Sequence, residues 1–233
     1  MDPKQLFMDE RHRGYCAYCG AIPDSRDHVP SKVLVDEPYP PDLPVVSACS
    51  QCNESFSLSE QYIACLIECV LVGSTDPEVV TRPKIKRILA DNPSLRKRID
   101  ESRRDGKDGT VIWYPEDDRV NEIVLMLARG HMAYELYPML EDPYTVSWTP
   151  IVSMNAEQEN QFEKDTESAW SAWPEIGTRA FSRLAGKAPD KFEIDGSWVI
   201  IQPGRYRYAV TESGANSVRI VMSEYLACWV IWQ

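Results

Sequence analysis

Apolar residues recur at helical spacing through the middle of the chain. The first such run starts near Leu58, stops at Gly73-Ser74, and places these residues on one face: Tyr62, Ile63, Leu66, Ile67, Val70 and Leu71. Three further helices are expected at about residues 83–90, 93–103 and 117–137. The pattern therefore predicts a mainly helical middle region.

The last third of the chain changes to strand periodicity, rich in aromatic and β-branched residues. Turn signals such as Pro203-Gly204 separate the predicted strands, which are Thr145–Trp148, Trp198–Gln202, Tyr206–Val210, Val218–Met222 and Cys228–Trp232. Because short connections join antiparallel neighbours, these strands predict an antiparallel β-meander that the final strand closes.

Residues 14–60 contain no long apolar run and are rich in cysteine, proline and turn-forming residues. They predict loops and a short hairpin that a metal stabilises. The fold class is therefore α+β, with an N-terminal zinc-stapled module, a helical middle and a C-terminal antiparallel meander. We expect one domain at residues 1–75 and an α+β region at 76–233, with helices at about 83–137 and strands at about 145–232.

Composition fits a compact soluble protein. The chain has 233 residues, of which 43% are hydrophobic and 26% charged. The N-terminus lacks the apolar stretch of a signal peptide, and the longest apolar stretch, Ile63–Val72, is interrupted by Glu68. The odd count of seven cysteines fits a reducing compartment better than a disulfide framework. These features predict a cytoplasmic protein without a membrane segment.

The net charge of −11 argues against a general polyanion binder. Residues 82–107 are the exception, because they carry ten basic and four acidic side chains. This segment is a candidate contact for a phosphate backbone, and a solvated helix face is the alternative. Its candidate nucleic-acid residues are Arg82, Lys84, Lys86, Arg87, Arg96, Lys97 and Arg98.

Two Cys-x-x-Cys motifs, Cys16-Ala-Tyr-Cys19 and Cys49-Ser-Gln-Cys52, carry the clearest chemical signal. Two such turns supply the four thiolates of a tetrahedral zinc site. The alternative is a set of buried free thiols, but the surrounding segment has too few apolar residues to fold unaided. A structural zinc is therefore expected.

The cysteine pairs enclose Asp27-His28-Val29-Pro30, and Asn53 follows them directly. Together with the cysteines, these residues resemble the HNH nuclease motif, a ββα-metal unit, over about residues 14–62. The resemblance implies hydrolysis of phosphodiester bonds. It also implies that His28 is the general base and that the residue after the second cysteine pair, Asn53, is a metal ligand.

These residue types suit that chemistry. A neutral imidazole such as that of His28 accepts a proton from water near neutral pH. The carboxylate of Asp27 and the amide oxygen of Asn53 are hard ligands that favour Mg²⁺ or Mn²⁺. Each residue also has a simpler explanation, since Asp27 fits an Asx turn and His28 an incidental surface ring.

Two positions depart from the family pattern. Many HNH motifs have a middle asparagine that orients the histidine, whereas this chain has Asp42, which is the candidate to hold Nδ1–H of His28. Many relatives have a second histidine ligand where this chain has Ser57. The segment Ser57-Leu-Ser-Glu60 fits a capping box that starts a helix. His131 is expected to be a packed histidine.

These observations predict a metal-dependent endonuclease that acts on nucleic acid, with double-stranded DNA favoured over RNA. A protein partner or a homodimer is compatible with the acidic balance, and a role in bacterial defence rests on family analogy alone. The alternative is a non-catalytic zinc-ribbon module that binds nucleic acid or a protein. A structural adaptor with a decayed site is a third reading.

Overall fold

Two short strands and a long helix form the N-terminal part of the computed structural model, which describes residues 14–105, 111–164, 174–188, 190–213 and 215–232. Strand β1 (Ser25–His28) pairs antiparallel with β2 (Val45–Ala48), so that Asp27 lies opposite Val46. Helix α1 (Ser50–Val72) follows β2 almost directly. The hairpin expected in this segment is therefore present.

Helix α1 begins at Ser50, within the second cysteine pair, rather than near Leu58. The Asp24 carboxylate accepts hydrogen bonds from the Ser50 backbone N–H at 2.6 Å and from its hydroxyl at 2.9 Å. A carboxylate at the start of a helix satisfies N–H groups that have no partner within the helix. Ser57 consequently lies inside α1, and the predicted capping box at Ser57 is wrong.

The middle region is helical, as the sequence predicts. It contains α2 (Pro83–Asp91), α3 (Pro93–Glu101), a hairpin of β3 (Arg103–Asp105) and β4 (Val111–Trp113), and α4 (Asp117–Glu135). Proline occupies the start of α2 and α3, where its missing N–H costs nothing. Asn92 caps α3 by accepting from the Leu95 N–H at 3.0 Å. The β3–β4 hairpin was not expected from the sequence.

The C-terminal region contains β5 (Thr145–Pro150), α5 (Ala156–Lys164), α6 (Arg179–Leu184), β6 (Glu193–Asp195), β7 (Trp198–Gln202), β8 (Tyr206–Ser213), β9 (Ala215–Met222) and β10 (Leu226–Trp232). The antiparallel sheet has the order β5-β10-β9-β8-β7-β6. The predicted meander is confirmed, and β5 adds to its β10 edge. The described residues thus form an α+β fold with six α-helices.

Helix α5 packs on one face of this sheet. Phe162 on α5 lies in a buried cluster with residues of four different strands: Trp198, Ala209, Val221 and Ala227. Side chains that alternate along a strand share one face, and here that face is apolar. Burial of this face stabilises the sheet.

The described residues form two compact units. One comprises the residues up to Ser55 together with those from Val124 onward, and the other comprises Phe56–Ile123. This division does not coincide with the boundary expected near residue 75. Within the first unit, the Asp36 N–H donates to Gln202 Oε1 at 2.7 Å, and Arg205 Nε donates to Asp36 Oδ2 at 2.6 Å. The loop between β1 and β2 is therefore held by the β7–β8 turn.

Helix α1 is the one helix of the described chain that meets the length and composition of a membrane span. Just over half of its most apolar stretch is buried inside the protein, and core helices of soluble proteins pass the same test. Its Glu68 is buried and pairs with Arg82 at 3.4 Å.

Candidate metal centre

The four motif cysteines converge on one point. The sulfur atoms of Cys16, Cys19, Cys49 and Cys52 all lie within 4.8 Å of one another. The Cys19 and Cys49 sulfurs are 3.8 Å apart. Tetrahedral zinc with bonds of about 2.3 Å separates its sulfur ligands by about 3.8 Å. The donor set and its spacing therefore fit a zinc ion, as the sequence predicts.

Local backbone structure shapes both cysteine turns. The Gly20 N–H donates to the Cys16 carbonyl at 2.9 Å, and Gly20 adopts a positive φ of 74°. At the second turn the Cys52 N–H donates to the Cys49 sulfur at 3.4 Å. This bond lowers the pKa of the Cys49 thiol and so favours the thiolate that binds metal.

The first cysteine turn is also tied to the hairpin. The Ala17 N–H donates to the Ser47 carbonyl of β2 at 2.9 Å. The Tyr18 hydroxyl donates to Asp27 Oδ2 at 2.7 Å. The residues between the two cysteines of the first pair therefore bind both β2 and the carboxylate proposed to hold a catalytic cation.

Asp27 lies on β1 in a half-buried position. Burial raises the pKa of its carboxyl, although hydrogen bonds from the Tyr18 hydroxyl and the His28 backbone N–H act in the opposite direction. Burial without a nearby cation penalises the charged form of a carboxylate. A bound divalent cation would relieve this penalty, which makes Asp27 a suitable ligand.

Asn53 connects the first turn of α1 to β1. Its side-chain nitrogen donates to Ser25 Oγ at 2.9 Å and to the Arg26 carbonyl at 3.2 Å. Ser25 and Asp27 are two residues apart on a strand and point to the same face. Asn53 therefore lies on the Asp27 face of β1, and these two bonds leave its amide oxygen for a ligand role.

His28 is the last residue of β1 and is half-buried. Burial lowers the pKa of its imidazole below the usual value, the positive charge of Lys32 adds to this, and the Pro44 carbonyl acts in the opposite direction. Its Nδ1 is buried and has no hydrogen-bond partner among the described residues. No described contact joins the ring to Asp27 or Asn53.

The structure does not form the bond proposed between Asp42 and Nδ1 of His28, since this nitrogen has no partner in the described chain. Asp42 lies in the loop just before β2 and is half-buried. The Pro44 carbonyl raises the pKa of the ring, and it also accepts a hydrogen bond from the Val29 N–H at 2.9 Å. A backbone carbonyl needs no particular side chain, so sequence inspection missed it.

The basic segment requires one correction. Arg82 is buried and pairs with Glu68, so it is not available to a nucleic acid. Two of the other residues form exposed pairs, Lys86 with Glu78 at 2.8 Å and Lys97 with Glu101 at 3.7 Å. Arg98 pairs with Glu116 at 3.3 Å. Arg87 is exposed, and Lys84 and Arg96 are half-buried.

Ser57 lies one helical turn beyond Asn53. Residues four apart on a helix share a face, so Ser57 is on the Asn53 side of α1. His131 is fully buried, as expected of a packed histidine, and burial lowers its pKa well below the usual value.

No family model, no curated protein sequence and no solved structure matches this chain.

Proposed function

We propose that this protein is a metal-dependent endonuclease of the HNH type. One observation supports this most directly: Asn53, at the start of α1, hydrogen-bonds β1 on the face that carries Asp27, next to the four-cysteine cluster. A zinc ribbon requires the cysteines alone. It has no need of a carboxylate on β1 together with a carboxamide on α1 that hydrogen-bonds the same strand.

Asp27 and Asn53 would hold a hydrated Mg²⁺ or Mn²⁺ ion, which supplies positive charge to the scissile phosphate and the departing oxygen. Tyr18 fixes the orientation of the Asp27 carboxylate through its 2.7 Å hydrogen bond. The Ser25 hydroxyl and the Arg26 carbonyl fix the Asn53 amide in the same way. Both ligands are thus oriented before a cation binds, which reduces the entropy lost on binding.

His28 is the proposed general base. A water molecule attacks the phosphorus atom while its proton passes to the neutral imidazole, and the bond from phosphorus to the leaving oxygen breaks. The lowered pKa of His28 keeps the ring neutral at pH 7 and ready to accept this proton. His28 pairs with Val45 and follows Asp27 directly along β1, so its ring would reach the phosphate from the opposite face of the strand.

Nucleic acid is the proposed substrate, and double-stranded DNA is favoured over RNA. The exposed basic residues of α2 and α3, such as Arg87, Lys97 and Arg98, are proposed contacts for its phosphates. The pairs that Lys97 and Arg98 form with glutamates are solvent-exposed and cost little to exchange for phosphate.

The decisive variant is His28→Ala, assayed on supercoiled plasmid and on a matched RNA duplex with Mg²⁺, Mn²⁺ or Ni²⁺ and a chelator control. The wild type is expected to nick or cut the plasmid only with added metal. Loss of a general base typically lowers the rate by about 10² to 10⁴-fold. Zinc content and circular dichroism should not change, because His28 lies outside the cysteine cluster.

Cleavage that survives in purified His28→Ala protein would contradict the mechanism. A wild-type protein that binds DNA without cutting it in any metal would favour the zinc-ribbon binding module instead.

A further inference from the structure

Gly130 on α4 makes an unusually close contact with Val29, the residue after His28. A Cβ atom added at Gly130 would lie 2.7 Å from Val29 Cγ2, 2.8 Å from Cγ1 and 3.3 Å from Cβ. Carbon atoms in van der Waals contact are about 3.5–4.0 Å apart. The branched end of Val29 therefore occupies the space in which any other residue at position 130 would place its side chain.

Val29 has little freedom to move away. It is fully buried, and branching at its Cβ restricts χ1 rotation. Its backbone N–H donates to the Pro44 carbonyl at 2.9 Å, and Val29 follows His28 directly in the chain. A push on Val29 therefore passes through the backbone to His28.

Helix α4 is also held in place at this point. The neighbouring His131 is fully buried, accepts or donates a hydrogen bond with the Tyr206 hydroxyl at 2.8 Å, and stacks on the Tyr208 ring at 3.7 Å. On the other side, Arg129 donates to the Glu141 carbonyl at 3.1 Å. Because these contacts hold α4, we expect the strain of a larger residue to fall on Val29, which directly follows β1.

We propose that Gly130 is a positioning residue for His28. The absence of a side chain at Gly130 lets Val29 pack closely against α4, and this contact sets the position of the end of β1. The catalytic consequence rests on the proposed function, in which His28 is the base. The positional consequence does not, because it concerns only the contact between α4 and β1.

Two variants test the contact, Gly130→Ala and the double variant Val29→Ala with Gly130→Ala. Alanine at 130 should displace His28, and truncation of Val29 should return the space that the new methyl group needs. A shift of about 1 Å in a catalytic group costs on the order of 10²-fold in rate. The single variant is expected to lose about this much activity, and the double variant to regain most of it.

The second readout is the imidazole Cε1–Hε1 signal of His28 in nuclear magnetic resonance spectra. The chain has three histidines, so the signal can be identified with His28→Ala. We expect Gly130→Ala to move this signal and the double variant to move it back, while zinc content remains constant. Gly14→Ala is the matched control, because a Cβ at Gly14 meets nothing within 4 Å.

The outcomes separate the two proposals. If the wild-type protein does not cleave nucleic acid, the proposed nuclease function is wrong. The His28 resonance measurement still tests the positioning role of Gly130 in that case. A His28 signal that Gly130→Ala leaves in place overturns the positioning role, whatever the activity. If the single variant fails to fold, the double variant must fold, and a double variant that also fails overturns the proposal.

Discussion

Two polar clusters in the same compact unit differ in how completely their polar atoms are paired. Around β1, the Nδ1 atom of His28 has no partner in the described chain, and burial raises the pKa of Asp27. Around the end of α4, the carboxylates of Glu135 and Asp190 each receive hydrogen bonds from arginine side chains. The first, open cluster keeps an unpaired ring nitrogen, whereas both carboxylates of the second, closed cluster are paired with arginines.

The closed cluster illustrates what a structural ionic network requires. Arg183 donates to both Glu135 oxygens at 2.8–3.0 Å and to both Asp190 oxygens at 2.7 and 2.9 Å. Arg179 bonds Asp190 at 3.0 Å and lies over the Tyr134 ring at 4.0 Å. Two carboxylates face two guanidinium groups, so the charges cancel. Pairing of both carboxylates offsets the cost of their burial.

The largest effect is expected from removing a zinc ligand next to the open cluster. Cys49→Ser removes one of four thiolates, and structural zinc sites contribute on the order of 10 kcal/mol to folding. We expect loss of zinc and of the native structure of residues 14–55. Metal analysis and hydrogen exchange measure both. Cys228→Ser is the control for thiol loss outside the site, because Cys228 lies in β10. A Cys49→Ser protein that keeps zinc at full occupancy contradicts the four-cysteine site.

The second-largest effect is expected from disrupting the buried ion pairs of the closed cluster. Glu135→Gln keeps the shape of the side chain but leaves Arg183 with one fewer carboxylate in a buried place. Removing one partner of a buried pair costs about 3–5 kcal/mol. For a chain of this length that lowers the Tm by on the order of 10 °C. Calorimetry measures the change.

Glu78→Gln is the matched control for that substitution. Its pair with Lys86 is equally short, at 2.8 Å, but Glu78 is 78% exposed. Exposed pairs contribute about 0–1 kcal/mol. If both variants lose the same stability, the contrast between buried and exposed pairs fails in this protein.

A pH profile sharpens the role of His28. The base must be neutral, so kcat/KM should rise with pH through the pKa of the ring and then level off. Because burial lowers this pKa, the acid limb should lie below the usual ~6.5. Rates of plasmid cleavage from pH 4.5 to 8 provide the test, and a limb centred above 6.5 would argue against a buried imidazole base.

The same lowered pKa has a consequence for stability. The unfolded imidazole binds protons at a higher pH than the folded one, so protonation favours unfolding. His28 and the fully buried His131 both act in this direction. The free energy of unfolding is therefore expected to fall as pH drops below about 6.5, which urea titrations at pH 7.5 and 5.5 can measure.

The smallest expected effect concerns Ser57, which shares a helix face with Asn53. Ser57→His would add an imidazole at the position where many HNH motifs have a histidine ligand. We expect tighter binding of Mn²⁺ or Ni²⁺, measured by calorimetry, with little change in stability because position 57 is exposed. Unchanged metal affinity would indicate that the cation does not sit against this face.

Elements bounded by local signals were predictable from the sequence. Strand β7 matches the predicted Trp198–Gln202 because a turn follows directly at Pro203-Gly204. The four cysteines were predictable because the spacing of two thiolates in a tight turn depends on nearby residues alone. The start of α1 was not predictable from the sequence. Its capping carboxylate belongs to Asp24, which is distant in sequence and reaches Ser50 only after β1 and β2 pair.

The surroundings of the candidate site were also hidden from sequence inspection. The Tyr18 bond to Asp27, the Pro44 carbonyl near His28 and the contact of Val29 with Gly130 all form between segments that only the fold brings together. Arg82 looked like one member of a basic run, and only its burial against Glu68 distinguishes it. Residue type indicated the chemistry, and tertiary contacts decide which groups are available.

The discontinuity of the first compact unit has a consequence for synthesis. The cysteine turns leave the ribosome early, whereas Gly130, Gln202 and Arg205, which pack against or bond the β1–β2 segment, emerge much later. A nascent chain can bind zinc long before Val29 and Asp36 find their partners. If the protein cuts nucleic acid, the β1–β2 segment that carries the proposed site would reach its final packing only after residues 202–205 have been synthesised.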